Sequence, residues 1–479
     1  MSASKCLRCL VRPSPTTLPV SVPQHVPKNI APFSTTGAKA GQNPKPAPSV
    51  PKNPNALQPY RSGKKMTLSK FKKNKVIDRG KAPLPGERKA WRKRISLSND
   101  NALPVPWLTQ MRPGDMADSG NVAKVFSLPA GLQDQLRACE AFKPTQSWNM
   151  FRTPSVLVRN ETVDVMGRMQ QAAGENKTAR LVLTGDKFTG KSLMLLQAMA
   201  HAYLNEWIVI HVPDAQELTT ASTEYAPIPG TDPVQYMQPN YVLKLIQNFR
   251  KANEAVLSKT YTATAHPELP QNITVNTPLL NLCQTAKEPE GAWVVFRALW
   301  NELMAKNVPR PPILFTLDGL AHIMKMSDYR SPSFELIHSH DLAFVRHFTE
   351  LLAGNTSFPG GGAVIAATSR SNAPRVPSME LVLAQREAEQ APRGAAEVPQ
   401  PDPFFRGYDK RVESVLRSVD VVRVNGASKP EARSLMEYWA ASGLLRDTVD
   451  EKLVTEKWAL GGNGVLGEME RAALMTMRI

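Results

Sequence analysis

The chain has 479 residues, of which 42% are hydrophobic, enough to bury a large core and to hold two or three domains. Its net charge of +17 is unevenly placed: residues 1–94 carry 21 Lys and Arg against two acids, Asp78 and Glu87, so residues 95–479 sum to −2. That excludes a uniformly basic body, and no apolar run approaches the length of a transmembrane helix. What remains is a near-neutral body behind a basic arm, and such an arm suits a polyanion, most plainly RNA.

Residues 1–40 lack acids, are rich in Ser and Thr, and carry Lys5, Arg8, Arg12 and Lys28. This composition predicts a mitochondrial presequence, and the absence of a long apolar stretch argues against a secretory signal. Cys6 and Cys9 have C-x-x-C spacing but no second ligand pair, so the spacing reads as incidental. With Cys139 and Cys283 they make four cysteines, too few for a disulfide framework in a chain this long.

Residues 41–60 are Pro-rich and predict an extended linker. A dense basic stretch follows, with Arg61, Lys64, Lys65, Lys70, Lys72, Lys73, Lys75, Arg79, Lys81, Arg88, Lys89, Arg92, Lys93 and Arg94. Phe71 and Trp91 are interleaved and could stack on bases. The expectation for 41–94 is an RNA-binding arm that contacts phosphates without reading sequence.

From residue 95 the composition is that of a globular domain. Helices are predicted within 128–142 and over 162–173, 193–200, 241–257, 291–306 and 334–352. Five apolar strands are predicted at 179–184, 207–212, 312–318, 362–368 and 419–424. Their alternation with helices predicts an α/β fold, a five-stranded parallel sheet covered on both faces. Residues 216–240 and 258–290 read as insertions, and 374–403, rich in Pro, Ala and Glu, as a mobile loop. A capped helix over 428–441 and a final helix over 465–477 would form a small lid. The predicted division is therefore 95–426 for the nucleotide domain and 427–479 for the lid.

The central motif is Gly185-Asp186-Lys187-Phe188-Thr189-Gly190-Lys191-Ser192, the G-x-x-x-x-G-K-[ST] phosphate loop. An apolar strand precedes it and a helix opening at Leu193 follows, the context the motif requires. Glycines let successive N–H groups face a phosphate, and the helix adds the positive end of its dipole. Lys191 would reach the outer phosphates, and Ser192 would ligate Mg²⁺. The nucleotide-binding residues expected are Gly185 through Leu193, with Thr368 and Ser369.

Asp318 ends the third strand, where a P-loop site places the acid that holds Mg²⁺ through water; an ordinary strand-end turn with Gly319 is the alternative. Thr368 and Ser369 end the fourth strand and would face the γ-phosphate only if that strand lies between the first and third. Otherwise they form a polar turn. Arg370 could contact phosphate or stand on the surface. No carboxylate follows Asp318, and no Asn-Lys-x-Asp guanine loop is present. The sequence thus supports nucleotide binding better than turnover and names no catalytic residue. His338 and His340, two residues apart, do not converge on a metal and read as a polar helix start. Met194, Met199, Met324 and Met326 read as core packing.

These residues, in order, resemble the death-associated protein family of mitochondrial small-subunit ribosomal proteins in its fungal form. The resemblance covers residues 95–479. It rests on Phe142-Lys143, Trp148, Phe151-Arg152 and the stretches 183–200, 207–214, 315–320, 329–332, 337–342 and 361–369. It implies an AAA-like P-loop NTPase fold and a place in the mitochondrial matrix as part of the ribosome. It also implies a bound purine nucleotide (GTP, GDP or ATP) with Mg²⁺, GTP being the family's described ligand. Gly185, Gly190, Lys191, Ser192 and Asp318 match the family's site. The implied partners are small-subunit rRNA and ribosomal proteins of both subunits, with no membrane. Three functional readings follow: a structural ribosomal component that holds a nucleotide, an active GTPase or ATPase switch in mitochondrial translation, or a free RNA-binding ATPase.

Overall fold

The structure, a computed structural model, describes residues 95–475 except 270, 372 and 392–396. The expected presequence and linker and every candidate RNA-binding residue from Arg61 to Arg94 lie outside the described residues.

A small three-stranded sheet comes first, formed by Thr109–Gln110, Val125–Ser127 and Ser155–Leu157, with helix α1 (Ala130–Ala138) inside it. α2 (Asn160–Gly174) leads into β1 (Thr178–Thr184), and α3 (Lys191–Leu204) into β2 (Ile208–Val212). α4 (Pro239–Ala252) and α5 (Pro289–Leu303) precede β3 (Ile313–Asp318). Then come α6 (Ala343–Ala353), β4 (Gly362–Ala367), α7 (Pro377–Gln390) and β5 (Asp420–Arg423). α8 (Lys429–Ala441), α9 (Glu451–Leu460) and α10 (Leu466–Glu470) follow, and α10 runs into a π-helical turn, Arg471–Met475.

β1–β5 form one parallel sheet in the order β5-β1-β4-β3-β2, flanked by helices and consistent with a P-loop-like fold. Alternate side chains leave a strand on opposite faces, so continuously apolar strands need cover on both. Val182, Ile210, Phe315, Leu317 and Val364 pack with α4, α5 and α6. Leu181, Leu183, Val209, Leu314 and Ile365 pack with α2 and α3 on the other side. β4 lies between β1 and β3, with Ala367 opposite both Leu183 and Asp318. The C-terminal ends of the three central strands are therefore flush, and the site is built there.

All five predicted strands form, but several other expectations change. The helix expected over 241–257 breaks at Asn253, whose side-chain amide donates to the Val209 carbonyl and accepts from the Val209 N–H at 2.9 and 2.8 Å. β2 is an edge strand, and this amide pairs one of its residues as a neighbouring strand would. The helix expected from 334 begins only at Ala343, because Leu336–His338 pairs antiparallel with Met326–Arg330. His338 and His340 are therefore not a polar helix start. Both are buried, the first ending a strand and the second in a 3₁₀ turn. Met326 lies on the same hairpin and is exposed, whereas Met194, Met199 and Met324 are buried as expected.

The loop expected over 374–403 contains α7, which starts at Pro377 and buries Met379, Val382 and Leu383. Its Ala and Glu residues favour helix once one face has a core to cover. The apparent insertion at 258–290 places Leu269, Ile273, Leu279 and Leu282 in the main core. Among the described residues, no helix is long and apolar enough to cross a membrane.

Candidate nucleotide site

The loop between β1 and α3 has the backbone its glycines allow. Gly185 has φ +135°, and a Cβ there would stand 2.3 Å from the Val424 carbonyl oxygen, so a side chain has no room. Gly190 caps α3 at φ +100°. Phe188 adopts φ +65° without being glycine, and α10 holds it: the Gly467 N–H donates to the Phe188 carbonyl at 3.2 Å. Two cations also lie over the Phe188 ring, Lys187 Nζ at 4.7 Å and the Arg471 guanidinium at 4.5 Å from its centroid.

Lys191 is buried and turns back on the loop, donating to the Gly185 carbonyl at 3.0 Å and to the Asp186 carbonyl. Burial pushes its ammonium below the ordinary lysine range, and Arg370 adds to this, while Asp186 and Asp318 oppose it. The Ser192 hydroxyl donates to Asp318 Oδ2 at 2.6 Å. A hydroxyl and a carboxylate that converge beside a phosphate loop fit Mg²⁺, which takes few protein ligands and keeps waters and phosphate oxygens. The Lys143 ammonium also pairs with Asp318 Oδ2. Sequence reasoning gave Lys143 no role, although Phe142-Lys143 was among the residues carrying the resemblance.

The condition on the fourth strand is met, since β4 lies between β1 and β3. Thr368 follows directly on it, with its N–H and its hydroxyl both 3.0 Å from the Leu183 carbonyl. Ser369 exchanges a hydrogen bond with Ser371 at 3.1 Å, and Arg370 is exposed, 3.3 Å from Asp186 Oδ1. Gly319, at φ +87°, turns the chain away after Asp318.

Arg159 also escaped the sequence reading. It is buried, donating to the Thr189 carbonyl of the loop at 3.0 Å and to the Asn425 carbonyl after β5 at 2.8 Å. Its Nε lies 3.9 Å from Glu431, which accepts from the Asn160 and Ser428 N–H groups at 3.0 and 2.8 Å. The arginine thus ties the phosphate loop to the start of α8. The C-terminal helices pack in turn on the small sheet, through Met436, Trp439 and Met469 against Val125 and Leu157.

Lys191, Ser192, Asp318, Thr368 and Ser369 line one cavity of about 550 Å³, within the range of nucleotide-sized pockets. The segment 143–157 and helices α8 and α10 complete its wall. Among the described residues no group of three or more His, Cys, Asp or Glu is placed to hold a metal ion, and a P-loop Mg²⁺ site requires none.

Residues 156–472 match the family described as mitochondrial ribosomal death-associated protein 3. The chain is 57% identical to the small ribosomal subunit protein mS29 of Neurospora crassa over the full length of both proteins. It is 24% identical to mS29 of Schizosaccharomyces pombe over 76% of this chain and 74% of that protein. To mS29 of Mus musculus it is 27% identical over 23% of this chain and 28% of that protein. The family match takes in all five core strands, the phosphate loop and α8 to α10, and on that extent the chain belongs to the mitochondrial ribosomal death-associated protein 3 family.

Proposed function

We propose that this chain is a structural component of the mitochondrial small ribosomal subunit that holds a purine nucleotide with Mg²⁺. The observation that carries the nucleotide reading is the convergence of Lys191, Ser192 and Asp318 on one cavity behind a glycine-turned loop. In this reading the loop N–H groups and Lys191 hold the phosphates, Ser192 and Asp318 hold Mg²⁺, and Thr368 and Ser369 border the outermost phosphate. The basic stretch 61–94 contacts rRNA, and the body contacts neighbouring ribosomal proteins and the subunit interface. Nucleotide bound only to the folded state stabilises that state by about 4 kcal/mol at a thousandfold excess over Kd.

A holder fits the site better than a switch. The residue after Asp318 is a glycine, and among the described residues the cavity wall carries only two carboxylates, Asp318 and Glu470. Asp318 is engaged by Ser192 and Lys143, which leaves it poorly placed to take a proton from water. The test is to purify the protein from mitochondria, follow its sedimentation with small-subunit rRNA, and identify the nucleotide it carries. Co-sedimentation with unhydrolysed or slowly exchanging nucleotide is expected. A free protein without rRNA overturns the ribosomal role, and multiple turnover by the assembled subunit favours the switch.

A further inference from the structure

Among the described residues, Lys143 is the cation of the cavity wall that pairs with Asp318. It lies between α1 and the last strand of the small sheet, outside the phosphate loop and its helix. Its ammonium reaches the same Oδ2 that accepts from the Ser192 hydroxyl. The segment that carries it is firmly built. Gln146 Oε1 accepts from the Lys143 N–H at 2.9 Å and from the Trp148 indole N–H at 2.6 Å. The rings of Phe142 and Trp148, both buried, meet edge to face with centroids 5.2 Å apart. Two anchored rings thus flank Lys143 and fix where its backbone stands.

Each oxygen of an ionised carboxylate offers about two lone-pair sites. At Asp318 Oδ2 the Ser192 hydroxyl takes one and the Lys143 ammonium the other. The Asp318 side chain is buried, so water screens little of the pairing. The second carboxylate of the wall is a poor substitute for a cation. Burial raises the Glu470 carboxyl above the ordinary range, which Ser147 and Arg471 partly offset. Its Oε1 is buried and has no hydrogen-bond partner among the described residues. Lys143 and a metal ion therefore carry the same sign of charge toward the same oxygen.

We propose that Lys143 is a positioning residue that competes with Mg²⁺ for Asp318, a tethered cation that sets the Mg²⁺ concentration at which the site holds a nucleotide. The inference rests on the nucleotide-holding role proposed above. An ammonium is a compact charge with three donors on a flexible stem. It can exchange Asp318 for a phosphate oxygen while the anchored segment stays in place. A neutral side chain at 143 leaves Asp318 its full charge for the metal, so less Mg²⁺ suffices.

The test titrates Mg²⁺ into the full-length chain at a fixed concentration of GDP or ADP and reads the free Mg²⁺ that gives half of the gain in nucleotide retention. Lys143→Gln keeps a hydrogen-bond donor for Asp318 and removes the charge. Its half-saturating Mg²⁺ should fall about 10- to 100-fold, the effect of one neighbouring charge on an ionic site. Lys143→Met should shift it in the same direction, and it decides alone if the Gln variant does not fold. Lys143→Arg keeps the cation and should stay near the unaltered value. A residue that only shaped the wall would give the opposite pattern, its loss weakening metal and nucleotide together. An unchanged or higher half-saturating Mg²⁺ in the neutral variants would overturn the competition while leaving nucleotide holding intact. Binding of neither nucleotide by the unaltered protein, with or without Mg²⁺, would overturn nucleotide holding itself and this inference with it.

Discussion

The Ser192 hydroxyl stands 2.6 Å from Asp318 Oδ2 across 126 residues of sequence. Two flush strands with β4 between them set that distance, because α3 starts just past β1 and Asp318 ends β3. Asp318→Asn keeps the shape and removes the charge. Its nucleotide affinity in Mg²⁺ should fall about 10- to 100-fold, while affinity measured in EDTA changes little. Equal losses with and without Mg²⁺ would assign Asp318 a purely structural part.

Lys191 is folded onto its own loop, so its removal acts on the loop as well as on a ligand. Lys191→Ala should lower nucleotide affinity by at least about 100-fold, the loss of a charge-assisted contact to a multiply charged anion. In mitochondria the variant should also reduce incorporation into the small subunit. Normal assembly of a nucleotide-free variant would show that nucleotide does not stabilise the protein in place.

Gly185 and Gly167 form a contrasting pair. At Gly185 an alanine meets the Val424 carbonyl in a backbone conformation that side chains disfavour, so Gly185→Ala should cost about 2–5 kcal/mol. At Gly167, inside α2, a Cβ meets nothing within 4 Å, so Gly167→Ala should stabilise by about 0.5–1 kcal/mol. Denaturant midpoints of the two variants check both signs.

Arg159 joins the loop, the end of β5 and α8. Arg159→Met keeps much of the side-chain volume and leaves Glu431 buried without its cation. A loss of about 3–5 kcal/mol is expected, together with faster nucleotide release, because the loop loses its tie to the C-terminal helices. A loss below about 1 kcal/mol would show that the Asn160 and Ser428 N–H groups satisfy Glu431 by themselves.

Acid should destabilise the fold well before the carboxylates titrate. Burial pushes the pKa values of His201 and His347 down to about 4, and those of His211 and His340 down to about 3. In the unfolded chain these groups titrate near 6.5. Below that pH the unfolded state binds more protons, so stability is present above about 6.5 and is lost as pH falls toward 4 and 3. Each histidine contributes up to about 1.4 kcal/mol per pH unit in that window. Thermal melting at pH 7.5, 6.0 and 5.0 should show a progressive fall, and a flat profile would contradict the burial of neutral rings.

The sheet was legible because each strand is a short apolar run long enough to show without neighbours. The phosphate loop was legible because its chemistry needs fixed residue types at fixed spacing. The hairpin Met326–Arg330 with Leu336–His338 was not, because its few residues carry mixed periodicity and fit the start of the following helix equally well. α7 was missed for the opposite reason: its composition is that of a solvated segment, and only the core beneath Met379, Val382 and Leu383 holds it. Lys143, Arg159 and Glu470 are ordinary charges in sequence. Their roles come from positions far from the loop that burial brings to its side.

The sequence by itself determined the five strands, the phosphate loop with Lys191 and Ser192, and the acid at the end of β3, since these depend on local pattern. Only the tertiary structure decided the strand order, and with it the place of Thr368 beside β1 and of Asp318 beside Ser192. The physical reason is that a parallel sheet is ordered by which faces its helices can cover, a property of all the elements together. The same packing set Glu470 against the cavity and left one of its oxygens without a donor among the described residues.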